Sequence, residues 1–256
     1  MPEPLSLVAS LSLTVLTALA VSTWIRLRFV RLIDDEAGLR LLRGVDRDST
    51  PSGLVTAVLT SSGAVIAWLA AFIAPAYLSR TVADAPILLA LGLFAGATGW
   101  LFWIDSSIRR LPNRIVLPIT FASLLLYLVS IVIGVTREPT GLPGTWAGAA
   151  TPAVEGLISG LVVLLFFLLL AVLALRMRRT GMGGGDVKLA VVVGMLPGAL
   201  SPAGPLVALV VMNLSALVHV LWLTGTRRKR WGDAIAFGPH MLIGTWTAVI
   251  LGPLLL

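Results

Sequence analysis

The chain has no cysteine and only two histidines in 256 residues. The first absence excludes disulfides, thiolate zinc sites, iron–sulfur clusters and cysteine nucleophiles together. It carries no information about redox compartment, because there is nothing to oxidise. His219 and His240 are too few for a histidine-built metal centre, so neither a metal nor a cofactor is expected. Charge is also scarce. Asp, Glu, Lys and Arg make up 12% of the residues, about half the share usual in a soluble domain. In their place stand 57% hydrophobic residues and a mean hydropathy of +0.98. Apolar runs of roughly 18 residues or more recur along the chain, and water does not solvate such runs. The composition therefore predicts a single all-α, polytopic domain over 1–256, with the lipid bilayer as its first partner. A net charge of +7 would point to nucleic acid in a soluble protein. In a membrane protein, basic residues gather in cytoplasmic loops instead. No basic run interleaved with aromatics is long enough to follow a nucleic-acid backbone, and no nucleic-acid partner is expected.

Hydrophobic spans read at 4–25, 54–78, 86–104, 115–135, 153–175, 188–202, 204–224 and 234–254, which predicts about eight transmembrane helices. The first is read as a retained anchor rather than a signal peptide. Glu3 precedes it, and its arginines (Arg26, Arg28 and Arg31) follow the apolar run. The loops after spans 1, 3, 5 and 7 hold 17 of the 19 Lys and Arg, leaving only Arg80 and Arg137 in the alternate loops. Eight crossings with both termini outside place all of those 17 in the cytoplasm. Span 6 reaches only about 25 Å, short of a ~30 Å hydrocarbon core. If it did not cross, Arg227, Arg228, Lys229 and Arg230 would emerge outside. Charge thus predicts that it crosses, with local thinning or a helix broken near Pro197-Gly198. The loop at 26–53 has apolar residues at helical spacing and Glu36 four before Arg40, the pattern of an interfacial amphipathic helix. Trp24, Trp100, Trp103, Trp222 and Trp231 fall near the cytoplasmic boundaries, where indoles favour the interface.

Acidic residues near the spans are few. Asp105 ends span 3 in "WLFWIDSSIRRLPNRIVLP" and Asp186 precedes span 6 in "GMGGGDVKLA". The predicted topology puts both at the same depth on the cytoplasmic side. Two carboxyls a few ångströms apart cannot both ionise cheaply, so their titrations split. The ionised one can take a proton from water, and the protonated one can donate to a carbonyl oxygen and then supply the leaving amine. That is amide hydrolysis without metal, thiol or serine. Gly183, Gly184 and Gly185 would permit positive φ and close backbone approach, leaving room for an extended peptide beside Asp186 and for loop movement. The alternative is that each aspartate is a solvated helix cap, with Asp186 on the first amides of span 6. Asp233 reads as a cap and Glu155 as solvated. Lys188 is read as pointing away from Asp186 and snorkelling to headgroups. The two histidines are expected to be hydrogen-bonded inside the protein, and Asn213 to bond a neighbouring helix.

These stretches together resemble the type IV prepilin leader peptidases, membrane aspartyl proteases of the GxGD kind. "GMGGGDVKLA" is similar to that family's second aspartate motif, with Gly183, Gly185, Asp186, Lys188 and Leu189 in place. "IDSSIRRLPNRIVLP" resembles the first, with Pro112-Asn113 after the aspartate. "AIAFGPHMLIG" resembles a late F-G-P stretch, at Phe237, Gly238 and Pro239. The motifs agree in order and spacing across 86–245, the expected peptidase core. The resemblance implies an endopeptidase of the bacterial plasma membrane, with Asp105 and Asp186 catalytic. Its substrates would be prepilin-like proteins, cut on the cytoplasmic side between a short hydrophilic leader, usually ending in glycine, and a hydrophobic helix. Gly183, Gly184, Gly185, Lys188, Pro112 and Asn113 would form the substrate-binding loops. Larger relatives carry a four-cysteine zinc domain after the first helix and also methylate the new N-terminus. Here that loop is short and cysteine-free, which removes the zinc site and leaves N-methyltransferase activity an open question. Presenilin-like proteases pair their GxGD with a tyrosine-aspartate and a later P-A-L, and neither accompanies these aspartates. Two rival readings are a transporter or ion pathway, which would place acids near the bilayer midplane, and a non-catalytic pilus-assembly scaffold. The oligomeric state and the particular pilus system are not encoded in any of these features.

Overall fold

A computed structural model describes residues 7–34, 51–73, 78, 82–137, 151–176, 183–226 and 235–252. They form eight α-helices: α1 (Leu7–Asp34), α2 (Gly53–Ile73), α3 (Ala85–Ile108), α4 (Asn113–Arg137), α5 (Thr151–Arg176), α6 (Gly184–Leu200), α7 (Gly204–Gly225) and α8 (Gly238–Leu251). A 3-10 turn, Val82–Asp84, leads into α3. Among the described residues, six segments are long and apolar enough to cross a membrane: those of α1 to α5 and of α7. α6 and α8, at 17 and 14 residues, are shorter. The chain is an all-α, multi-pass membrane protein. Its outward faces are apolar, as a lipid solvent requires. Leu161, Leu165 and Leu169 on α5 and Leu206, Val210 and Leu214 on α7 are all more than half exposed.

α3 is the central helix. In its most apolar stretch 78% of the residues are buried, against 17% for α5 and α7. Without a hydrophobic drive between helices in lipid, close packing through small residues does the work, and the stretch "GLFAG" supplies them. A Cβ on Gly96 would lie 2.3 Å from the Ala18 carbonyl oxygen, so only glycine lets α1 lie this close to α3. Hydrogen bonds reinforce the packing. The Trp100 indole donates to Ser22 Oγ on α1 at 2.8 Å, and Ser22 donates to Thr60 on α2 at 3.0 Å. Trp246 on α8 donates to Thr98 on α3 at 2.9 Å.

Several expectations change. Trp100 is fully buried, a core residue rather than an interfacial one. Residues 26–34 continue α1, while 35–50, on which most of the expected surface helix falls, lie outside the described residues, as do Trp231 and Asp233. α6 does not break near Pro197. It runs through to Leu200, and only there does Ser201 adopt extended backbone, its N–H bonding the Pro197 carbonyl. Proline removes one hydrogen bond, but α6 is enclosed from Val192 to Leu200, chiefly against α5, and that packing keeps the last turn helical. Asn213 bonds the Leu209 carbonyl of its own helix at 2.7 Å rather than a neighbour.

Candidate functional site

Asp105 sits in the last turn of α3 and is 3% exposed. Arg109 ends the helix in left-handed backbone, φ 54° and ψ 37°, and its N–H closes on the Asp105 carbonyl at 2.8 Å. It is the one non-glycine residue with positive φ among those described. The carboxylate is held separately: Oδ2 accepts the Gly238 N–H at 2.9 Å across 133 residues of sequence. The F-G-P stretch explains why this donor is available. Gly238 opens α8, where backbone N–H groups have no partner within the helix and the dipole favours an anion. Pro239, next in line, is pre-shaped for a helix start and has no N–H to satisfy. Phe237 anchors the turn against Phe167 of α5, with ring centroids 6.2 Å apart. A Cβ on Gly238 would stand 2.7 Å from Asp105 Oδ2, so the contact requires glycine.

Asp186 lies in the first turn of α6, partly exposed. Its carboxylate reaches back to the Gly183 backbone N–H, half of a capping box. The expected cap on the first amides of α6 is not what forms, because Gly183 occupies the N-cap position and Asp186 lies inside the first turn. This placement does not separate Asp186 from Asp105, whose charge is among those acting on it. The glycines divide their roles in a way the sequence reading does not anticipate. None has positive φ: Gly183 is extended at φ −63°, and Gly184 and Gly185 are helical. Close approach is real, but at one position. A Cβ on Gly185 would stand 2.7 Å from the Leu111 Cβ, whereas one on Gly184 would meet nothing within 4 Å.

The three motif regions are thereby joined at one end of the bundle. Gly185 packs on the connector that follows Asp105. Lys188 Nζ donates to Asn113 Oδ1, tying α6 to the start of α4. The Lys188 ammonium is thus used inside the protein instead of snorkelling. Pro112 starts α4 by accepting the N–H groups of Ile115 and Val116, each at 3.0 Å. Glu155 is exposed, as expected, and stands apart on α5. His219 and His240 bond each other, Nδ1 to Nε2, at 3.0 Å. Among the described residues no three or more His, Asp or Glu gather as a metal site would require.

Residues 92–224 match the type IV leader peptidase family, more than half of the chain, and both aspartate motifs fall inside the matched stretch. The chain belongs to this family. Over 152 residues it is 32% identical to a prepilin leader peptidase/N-methyltransferase of Pseudomonas putida, a stretch covering 54% of this chain and 50% of that protein. The chain thus spans about half the length of the curated relative it matches. No solved structure matches it. Gly238, whose amide holds Asp105, is a site residue that sequence reasoning did not place there. The signal was present in the F-G-P stretch: a glycine before a proline, at a predicted helix start on the aspartates' side.

Proposed function

We propose that this chain is an aspartyl endopeptidase of the bacterial plasma membrane that removes the short cytoplasmic leader from prepilin-like proteins. The observation that supports this reading is the meeting of the two aspartate-bearing segments at one end of the bundle, where Gly185 packs on the connector that follows Asp105 and Lys188 bonds Asn113. In this mechanism the pair holds one proton. The ionised carboxylate draws a proton from a water molecule, which attacks the scissile carbonyl carbon. The protonated carboxyl donates to the carbonyl oxygen. When the tetrahedral intermediate collapses, the C–N bond breaks and the amine leaves with a proton passed through the pair. The Gly238 amide keeps the Asp105 carboxylate oriented throughout, and the open backbone at Gly183 and Gly184 leaves space for the leader. Clustered cations at this end of the bundle, Arg109, Arg110 and Arg114, support a cytoplasmic location by the positive-inside rule.

Conservative substitution is the test. Asp105→Asn and Asp186→Asn keep shape and hydrogen-bonding capacity but remove the titrating proton. Each is expected to abolish leader removal from a purified prepilin, read as a mass shift, while the protein still inserts. Processing at the natural rate by either variant excludes the pair mechanism. The absence of any mass shift with the natural protein would favour the scaffold or transporter readings.

A further inference from the structure

We propose that the groove bounded by α2, α3 and α8 seats the apolar helix of the substrate, with its first turn on Phe102 and the bond before it at Asp105. This deepens the peptidase reading and rests on it for the identity of the occupant. The groove measures about 430 Å³. Ile66 of α2 lines one side, Thr98 and Phe102 of α3 the floor, and Trp246 and Ile250 of α8 the other side. Phe102, at 43% exposed, opens it to the lipid.

The walls are held in place without an occupant. A Cβ on Gly63 of α2 would stand 2.8 Å from the Ala95 carbonyl oxygen, and one on Gly99 of α3 would stand 2.8 Å from that of Leu59. Glycine at both positions lets the two backbones touch. On the other side the Trp246 indole donates to Thr98 Oγ1 at 2.9 Å, and Thr98 passes its own proton to the Phe94 carbonyl at 2.7 Å. Both protons are committed, so neither group asks for a polar ligand. A polar occupant would lose its hydration for no bond in return, whereas an apolar one loses nothing. A groove already shaped in this way costs little to fill.

Its position relative to Asp105 selects the occupant. Phe102 and Thr98 precede Asp105 by three and seven residues on α3, spacings that put all three along one side of the helix. Leu242, also in the lining, follows Gly238 by four residues on α8, and the Gly238 N–H is the group that holds Asp105. The groove therefore begins about one turn, ~5 Å, from Asp105 along both helices. Ile250, twelve residues after Gly238, lies about 18 Å along α8. An acyl chain gains nothing from this alignment. A helix whose preceding peptide bond must reach Asp105 requires a seat that starts one turn away, and here two walls start there together.

The test is disulfide capture, for which a chain without cysteine gives no background. The full chain carries Asp186→Asn, to leave the substrate uncut, and either Phe102→Cys or Ile250→Cys, in nanodiscs. The probes are synthetic peptides with a hydrophilic leader ending in glycine and an apolar helix of about 20 residues. Each has one thiopyridyl-activated cysteine, near the third or the twelfth helix position. Phe102→Cys should capture the third position and Ile250→Cys the twelfth. The crossed pairs stand about 13 Å out of register, beyond the roughly 7 Å reach of a disulfide, and should give none. Leu165→Cys on α5 and Val218→Cys on α7, both exposed, are the controls. No capture of peptide, capture without this register, or equal capture at the controls overturns the proposal. A second variant tests the same groove in the active protein. Thr247→Trp, which fills it, should raise KM for the whole peptide about tenfold with kcat held, and leave a peptide ending after the sixth helix residue unaffected. An equal rise for both peptides, or for neither, overturns the proposal. If the natural protein cuts none of the peptides, the peptidase reading fails separately, and the capture register alone decides the groove.

Discussion

Replacing Gly238 with alanine tests how Asp105 is held, at the cost of one methyl group. The new Cβ would stand 2.7 Å from Asp105 Oδ2 and 3.1 Å from Cγ. A carbon cannot sit that close to a carboxylate oxygen, so the carboxylate must swing aside and the 2.9 Å hydrogen bond is lost or lengthened. A hydrogen bond to a charged group contributes about 1.5–3 kcal/mol. At about 1.36 kcal/mol per factor of ten, leader cleavage should fall roughly 10- to 150-fold in kcat/KM. The helix itself should not suffer, because alanine is the better helix former by about 1 kcal/mol. Thermal unfolding in detergent should therefore stay near the natural midpoint while turnover drops. Gly225→Ala is the matched control, since a Cβ there meets nothing within 4 Å. If Gly238→Ala cleaves within twofold of the natural protein, the amide does not position Asp105 in the working enzyme.

Other perturbations address the remaining joints. Lys188→Met and Asn113→Ala should each lower the unfolding midpoint and slow cleavage. The double variant should be little worse than either single one, because both remove the same bond; full additivity in the cycle would refute that. Gly185→Val should force α6 off the Leu111 connector and reduce activity at least a hundredfold, a loss of about 2.7 kcal/mol; near-natural turnover would mean the connector yields freely. The cysteine-free sequence makes orientation directly testable. Arg110→Cys should react with an impermeant maleimide only from the cytoplasmic side, and Thr136→Cys, at the other end of α4, only from outside. Labelling of both from one side would refute the orientation.

How much of this could be read in the sequence depended on whether the cause was local. The apolar runs reflect the solvent around them, so the helices stood out without any knowledge of partners. Local chemistry also located the aspartates, which are conspicuous because so few charges border the spans. What failed needed a second segment. Trp100 looked interfacial by position, but its indole found Ser22, 78 residues away. Lys188 had its sequence neighbours as a guide, yet its partner Asn113 is 75 residues distant. Pro197-Gly198 suggested a break by intrinsic propensity, and the enclosure of α6 by α5 overrode it. The glycine triplet illustrates the same limit. Its sequence is uniform, but only Gly185 faces a neighbour close enough to forbid a side chain.

The unequal fastening of the two carboxylates has a mechanical consequence. Asp105 is fixed by its own helix end and by the start of another, on the most enclosed helix of the bundle. Asp186 stands in the first turn of a short helix, where Gly185 packs on the Leu111 connector but Gly184 meets nothing within 4 Å. Any closing stroke during turnover thus falls to the α6 side, pivoting at Gly183-Gly184 while α3 remains the anvil. A transition-state mimic should accordingly quench motion at that pivot and leave the spectroscopic signature of α3 unchanged.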